Sequence, residues 1–375
     1  MKDVNRRTFL GRGLGAAGLI GLAAWPARGR ADDGADPDAM IAKAVAFLRS
    51  RQADDGSWSG DRKVPGITGL VVTALLRSGR VTPDDPAVTK GLAYLEQFVG
   101  SKGGVSEARQ GVYTTSVALM AFDEANKDGR YDGLIKGAQG YLKSAQWDED
   151  EGKDPEDPYY GGLGYGGGDS RPDLSNTSFM IEALRDSGLP ADDPALQKAL
   201  VFVSRCQNLE SEFNDRPSAA KINDGGFLYA PTEAESDAAK KKGGGAEVRS
   251  YAGMTYAGLK SMIYAGLTQD DPRVKAAYGY ITKNYTLDEN PGQGQRGLYY
   301  YYQTFAKALS LVDKPTVVDD MGREHDWRAD LTAALAKRQE PDGGWVNRDD
   351  RFMEGDPNIV TAFGLLALAY ARKGT

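Results

Sequence analysis

Between Lys43 and Trp58 the chain reads KAVAFLRSRQADDGSW. Apolar residues at Ile41, Ala44, Val45 and Leu48 fall at i, i+3, i+4 and i+7, a spacing that predicts a helix with one buried face. That helix ends in a Gln, and a tight Asp-Gly turn closed by Trp58 follows. Gln339 to Trp345 (QEPDGGW) repeats the same ending near the C-terminus, and the chain between reads as degenerate copies of one unit. Six helix pairs result, their first helices beginning near Asp38, Pro86, Asp132, Pro194, Pro272 and Trp327. These first helices carry a charged face. The second helices, among them GITGLVVTALL, TTSVALMAF and IVTAFGLLALAY, are apolar on more than one side. An all-round apolar helix is buried and a one-faced helix covers it.

Six buried helices ringed by six covering ones predict an all-α fold, an α6/α6 barrel or α/α toroid forming a single domain over 32–375. Closure removes the need for polar capping repeats at either end. Two phased signals support the repeat. Asp84-Asp85-Pro86, Asp192-Asp193-Pro194 and Asp270-Asp271-Pro272 each follow a Gly by a few residues and open a covering helix. The Gly suits a left-handed cap, the Asp accepts free N–H groups, and the Pro takes the first helical position. The buried helices align on Thr68, Thr115, Thr177, Thr255 and Thr361, with Tyr302 in the remaining copy.

Spacings between these aligned positions are 47, 62, 78, 47 and 59 residues. The extra length lies in the covering-to-buried connections 147–172, 208–249 and 285–298. All such connections leave a ring at one end, so the Gly-, Asp- and Tyr-rich insertions are expected to crowd one mouth. Lys240 to Gly245 is expected to form a mobile tip within the second of them.

Composition narrows the chemistry. Asn5-Arg6-Arg7-Thr8-Phe9-Leu10, a Gly/Ala/Leu run and small residues at Gly29-Arg30-Ala31 read as a twin-arginine signal peptide over 1–31. The mature chain is then expected to be exported folded, to the periplasm or beyond, with no transmembrane segment. Without that leader the net charge is −12, which disfavours a nucleic-acid partner. Cys206 and His325 are the only Cys and His, so an internal disulfide and a multi-thiolate metal site are excluded. No metal or cofactor is expected. The acidic run Asp148 to Glu151 lacks the spacing of a calcium loop and reads as solvated.

Lys43, Phe47-Leu48, Gln52, Gly56 and Trp58 resemble the Gln-Trp repeat of squalene-hopene and oxidosqualene cyclases. The alternating helices resemble the toroid shared by those cyclases and protein prenyltransferase β subunits. The resemblance covers nearly the whole mature chain and implies one toroid domain. Asp173-Leu174-Ser175-Asn176-Thr177 lies where the class II cyclases carry Asp-x-Asp-Asp-Thr. The first Asp and the Thr are kept, the proton-donating central Asp is Ser175, and the last is Asn176. A serine cannot protonate an alkene, which needs a strong acid. The zinc ligand set of the prenyltransferases is not reproduced near Cys206 or His325.

The resemblance implies terpenoid cyclisation or prenyl transfer on an isoprenoid held in the barrel. Asp173 is the candidate general acid or orienting carboxylate, and it can equally serve as a helix cap. Tyr113, Thr177, Phe179, Tyr256, Tyr299 and Tyr302 are the candidate binding residues, because aromatic faces suit an apolar ligand and a cationic intermediate. One or two of the run Tyr299 to Tyr302 are expected to line the cavity and the rest to pack between helices. Glu182, Lys260 and Lys307 share one phase of successive buried helices and suit a buried charge cluster or a solvated ion pair. The alternative is a non-catalytic toroid that binds a lipid, glycan or protein at the mouth. A polysaccharide hydrolase or lyase on a related barrel would need paired carboxylates or Arg/Lys in an open groove.

Overall fold

The computed structural model describes residues 35–106, 110–166, 170–231 and 249–372. The signal-peptide segment 1–31 and the tip Lys240 to Gly245 lie outside the described residues. Six outer helices are present: α1 (Pro37–Ser50), α3 (Pro86–Glu96), α5 (Asp132–Ser144), α7 (Pro194–Arg205), α10 (Pro272–Lys283) and α12 (Trp327–Ala336). Six inner helices alternate with them: α2 (Pro65–Arg77), α4 (Gly111–Ala125), α6 (Leu174–Asp186), α9 (Ala252–Tyr264), α11 (Leu298–Val312) and α13 (Pro357–Arg372). A short α8 (Pro217–Ile222) sits in the longest insertion, and Val317–Val318 pairs antiparallel with Glu324–His325.

Each inner helix packs on the next, and α13 returns to α2, so the inner ring is closed. The outer helices lie on it, α1 against the last inner helix α13. The capping rule explains the covering helices. Asp85, Asp193 and Asp271 accept hydrogen bonds from Ala87, Ala195 and Arg273, each two residues on, with Pro at the first helical position.

The Gln and Thr signals are the fastenings of this ring. Gln52 Nε2 donates to Gly56 O of its own turn (3.0 Å) and to Ala87 O in the next outer helix (2.8 Å). Gln146 reaches Ala195 O, Gln207 reaches Arg273 O, and Gln339 reaches back to Met40 O in the first outer helix. That last bond seals the ring. The turn must lie directly on the neighbouring helix: a Cβ at Gly56 (φ +89°) would stand 2.4 Å from Lys90 O, so only Gly fits. Trp58 Nε1 donates to Leu48 O at 2.7 Å, folding the turn under its own helix. Each phased Thr then accepts from the turn: Thr68 from Trp58 N, Thr115 from Val105 N, Thr177 from Leu163 N, Thr255 from Phe227 N and Thr361 from Trp345 N. Tyr302 serves the fifth pair by donating its hydroxyl to Leu287 O at 2.5 Å.

Opposite the mouth, toward the C-terminal ends of the inner helices, the barrel holds buried charge. Glu182 Oε2 lies 2.6 Å from Lys260 Nζ, and Glu182 Oε1 lies 3.0 Å from Arg77 and 3.5 Å from Lys307. Asp186 joins Arg77 (2.7 Å) and Lys307 (3.4 Å). Burial alone would push the Glu182 carboxyl up. Lys260, Lys307 and Arg77 more than reverse that and hold it well below the usual carboxylate range. The shared phase of Glu182, Lys260 and Lys307 is thus realised as a buried cluster. The acidic run also gains a partner, because Lys198 Nζ bonds Asp148 (2.8 Å) and Glu149 (2.7 Å). Cys206 is buried. His325 is half-buried, stacked on Tyr285 (4.2 Å) and 3.1 Å from Asp319.

Candidate functional site

Connections from outer to inner helices do gather at one mouth, and a cavity of about 200 Å³ opens there. Every inner helix sends a side chain to its wall: Ile67, Tyr113, Phe179, Met254, Tyr300 and Phe363. None of the lining residues carries a charge. Tyr113 meets Phe179 edge-on at 5.1 Å, and Tyr300 meets Phe363 edge-on at 5.9 Å, so ring faces and edges tile the wall. Phe179 also separates the cavity from the charge cluster, with Lys260 Nζ 5.7 Å from its ring centre.

Phe352 and Met353 form a lip. Both are substantially exposed, both line the cavity, and both hold left-handed backbone (φ 61° and 63°). Neither is Gly, so the turn is strained. Glu354 holds it there: its carboxylate accepts from Tyr300 N (2.8 Å) and Asn347 Nδ2 (2.6 Å).

Asp173 stands one layer behind the wall. It is buried at the N-cap of α6 and accepts from Asn176 N (2.8 Å) and Asn176 Nδ2 (2.7 Å). The Tyr229 hydroxyl also bonds its carboxylate. Burial raises the carboxyl to about 6 despite these donors. Asn176, Ser175 and Tyr229 are the groups that face the cavity. Ser175 Oγ donates to the Tyr300 hydroxyl at 3.2 Å.

Of the expected binding residues, Tyr113 and Phe179 line the wall. Four others are placed differently. Thr177 is consumed by the turn at Leu163, and Tyr302 does the equivalent work for Leu287. Tyr299 packs edge-on against Tyr302 at 5.6 Å, and Tyr256 packs between Tyr301 (5.7 Å) and Phe305 (5.0 Å). The tyrosine of the run that reaches the cavity is Tyr300. Its phase was readable: the residues two before the aligned position include Tyr113, Ser175, Tyr300 and Ile359, all on the wall. No helical period could point to the lip residues or to Tyr229, because they come from irregular segments. Among the described residues no cluster of His, Cys, Asp and Glu is arranged to hold a metal ion.

No protein-family model and no curated protein matches the sequence. Solved structures do match the fold. The type II terpene cyclase MstE from Scytonema superposes with a TM-score of 0.56 at 14% identity, over 92% of this chain and 100% of that one. An alpha-1,6-mannanase from Salegentibacter superposes with a TM-score of 0.59 at 10% identity, over 89% of this chain and 100% of the other. A family 76 glycoside hydrolase from a bovine Bacteroides thetaiotaomicron strain gives 0.55 at 13%, over 89% and 77%. The chain is therefore an α/α toroid, a fold that serves both a terpene cyclase and glycoside hydrolases.

Proposed function

We propose that the chain holds an isoprenoid in the cavity at its mouth, as a terpenoid-cyclase-like toroid. The observation that carries this reading is the wall itself: aromatic and aliphatic side chains from all six inner helices, with no charge among them. Such a wall suits a branched hydrocarbon chain, and its ring faces favour positive charge developing on that chain. A neighbour of this fold, MstE, was solved with geranylgeranyl dihydroxybenzoate, described as its substrate. An apolar cavity of about 150 Å³ accommodates benzene. At about 200 Å³ this one encloses a short prenyl segment, and a longer chain runs out past Phe352 and Met353.

The wall disfavours the other chemistries. Glycoside hydrolysis requires two carboxylates flanking the bond, and no lining residue is acidic. A prenyl diphosphate requires cations, and the wall has no Lys or Arg. Acid-initiated cyclisation or isomerisation assigns Asp173 as the acid, with the Tyr229 hydroxyl between it and the ligand. One observation favours a non-catalytic binder instead: the Asp173 carboxylate is already engaged as the α6 cap and by Asn176. Export through the twin-arginine route belongs to the proposal and rests on residues 1–31.

Calorimetric titration of the purified mature chain with farnesol, squalene and a mannan oligosaccharide tests this, with mass spectrometry of the reaction mixtures. Isoprenoid binding that weakens in Phe179→Ala is the expected result. New isoprenoid products lost in Asp173→Asn would establish catalysis, whereas binding without products would establish a carrier. Oligosaccharide binding, or no isoprenoid binding, overturns the proposal.

A further inference from the structure

The lip over the cavity is strained by its own backbone and held in place by one buried side chain. Phe352 and Met353 are 54% and 41% exposed, and both line the cavity, so they cover it from the solvent side. Their backbone is left-handed at both positions, φ 61° and 63°. A Cβ disfavours that conformation, so the closed turn stores strain that release would relieve. Glu354, the next residue, opposes the release. It is 1% exposed, and its carboxylate accepts from Tyr300 N at 2.8 Å and from Asn347 Nδ2 at 2.6 Å.

That carboxylate caps a helix of the wall. The N-cap residue of α11 is Gly297, which has no side chain to serve the helix. Tyr300 N–H bonds Glu354 instead, and the N–H groups of Leu298 and Tyr299 also favour its charge. The lip's other fastenings reach the same segment. Asn347 Nδ2 donates to Gln295 O (2.7 Å), and Arg296 lies 3.8 Å from Asp349. The Phe352 ring lies over Gly297, where a Cβ would be 3.4 Å from its Cδ2. On the other side the turn passes through Gly355 to Asp356, which accepts from Asn358 N (2.9 Å) at the start of α13 and pairs with Arg62. The turn is thus anchored at α13 and clasped to α11, with strain and clasp opposed at one place. Such an opposition makes a two-state element. We infer that residues 350–354 form a lid over the cavity, with Glu354 as its latch on α11 and α13 as its fixed side. A ligand enters or leaves when Glu354 quits the α11 terminus and the turn relaxes. This rests on the reading above only in that the cavity takes an apolar ligand.

Hydrogen exchange of the purified mature chain without ligand, read by mass spectrometry, tests the lid directly. Glu354→Gln keeps an acceptor and loses the charge, so exchange should speed up about ten-fold in 346–356 and 298–302 and nowhere else. Met353→Gly keeps the latch and removes one left-handed penalty, so exchange there should slow about five-fold. Stopped-flow entry of N-phenyl-1-naphthylamine, an apolar fluorophore, ties the lid to the cavity. In Glu354→Gln its association and dissociation rates should both rise about ten-fold, with Kd held within about two-fold. A turn that is only structural would instead change Kd. Circular dichroism checks folding, and Met353→Gly decides alone if Glu354→Gln does not fold. Exchange unchanged in the variants, exchange that spreads through the ring, or a faster dissociation with no faster association overturns the lid and leaves the isoprenoid reading to its own titrations. Failure of the fluorophore to bind overturns the lid, and failure of farnesol as well overturns both.

Discussion

Replacing Glu182 by Gln should be among the most damaging neutralisations in this molecule. Its side chain is 1% exposed and touches three cations: Lys260 at 2.6 Å, Arg77 at 3.0 Å and Lys307 at 3.5 Å. The loss is not shared equally. Arg77 keeps Glu124 and Asp186, each at 2.7 Å, and Lys307 keeps Asp186 at 3.4 Å. Lys260, 2% exposed, has no other carboxylate within ion-pair distance among the described residues. Glu182→Gln thus strands one buried ammonium, a perturbation that costs about 3–5 kcal/mol. Adding Lys260→Met removes the stranded charge and places an apolar side chain beside Phe179. The double variant should therefore be more stable than Glu182→Gln alone, with a coupling of about 2–3 kcal/mol.

The pH dependence has a definite sign. Burial already lowers the Lys260 amine, and Glu182 opposes that shift. Without Glu182 the folded state prefers the neutral amine more strongly, so the deficit of the single variant should narrow as pH rises from neutrality toward the unfolded lysine value. Urea unfolding of wild type, both single variants and the double variant, at neutral and alkaline pH, measures all of this. A cost below about 1 kcal/mol for Glu182→Gln, or a double variant no more stable than it, would refute the reasoning.

Two further outcomes are expected. Burial pushes the Asp173 carboxyl up to about 6 from its ordinary value of 3.8, so the folded state holds this proton more tightly. Stability should fall as pH rises from about 4 to about 6, by about 3 kcal/mol from this group, and stay level above. Urea unfolding across that range should show the slope in wild type and its loss in Asp173→Asn; parallel curves would mean the carboxyl is not desolvated. Phe352→Gly relieves a left-handed non-Gly residue, so thermal stability should hold or rise by up to about 1 kcal/mol while farnesol affinity falls about ten-fold. Unchanged affinity would remove the lip from the binding site.

Much of the architecture was legible because it repeats. The Gln-turn-Trp unit, the Asp-Asp-Pro starts and the phased Thr each report one local contact made again in successive pairs. Their spacing therefore located the outer helices to within a residue or two. The charge cluster was legible in part: Glu182, Lys260 and Lys307 share a phase and the ring brings equal phases together, but phase left a solvated ion pair open, and the structure decided for burial. The aligned Thr was misread as a binding position because a motif cannot say which of its residues serves the turn.

The sequence by itself determined the ring, its single loop-rich mouth and the place in the chain where chemistry would be sought. Tertiary structure decided which of the remaining candidate side chains face the cavity, since of those expected only Tyr113 and Phe179 line it. A helix in a closed ring has neighbours on both sides, so about 100° of rotation separates Tyr300 on the wall from Tyr299, and about 160° separates it from Tyr302, both in the packing. Tertiary structure also decided that Asp173 stands behind Asn176, because the cap that starts α6 draws the carboxylate back onto the backbone N–H and the side-chain amide of Asn176.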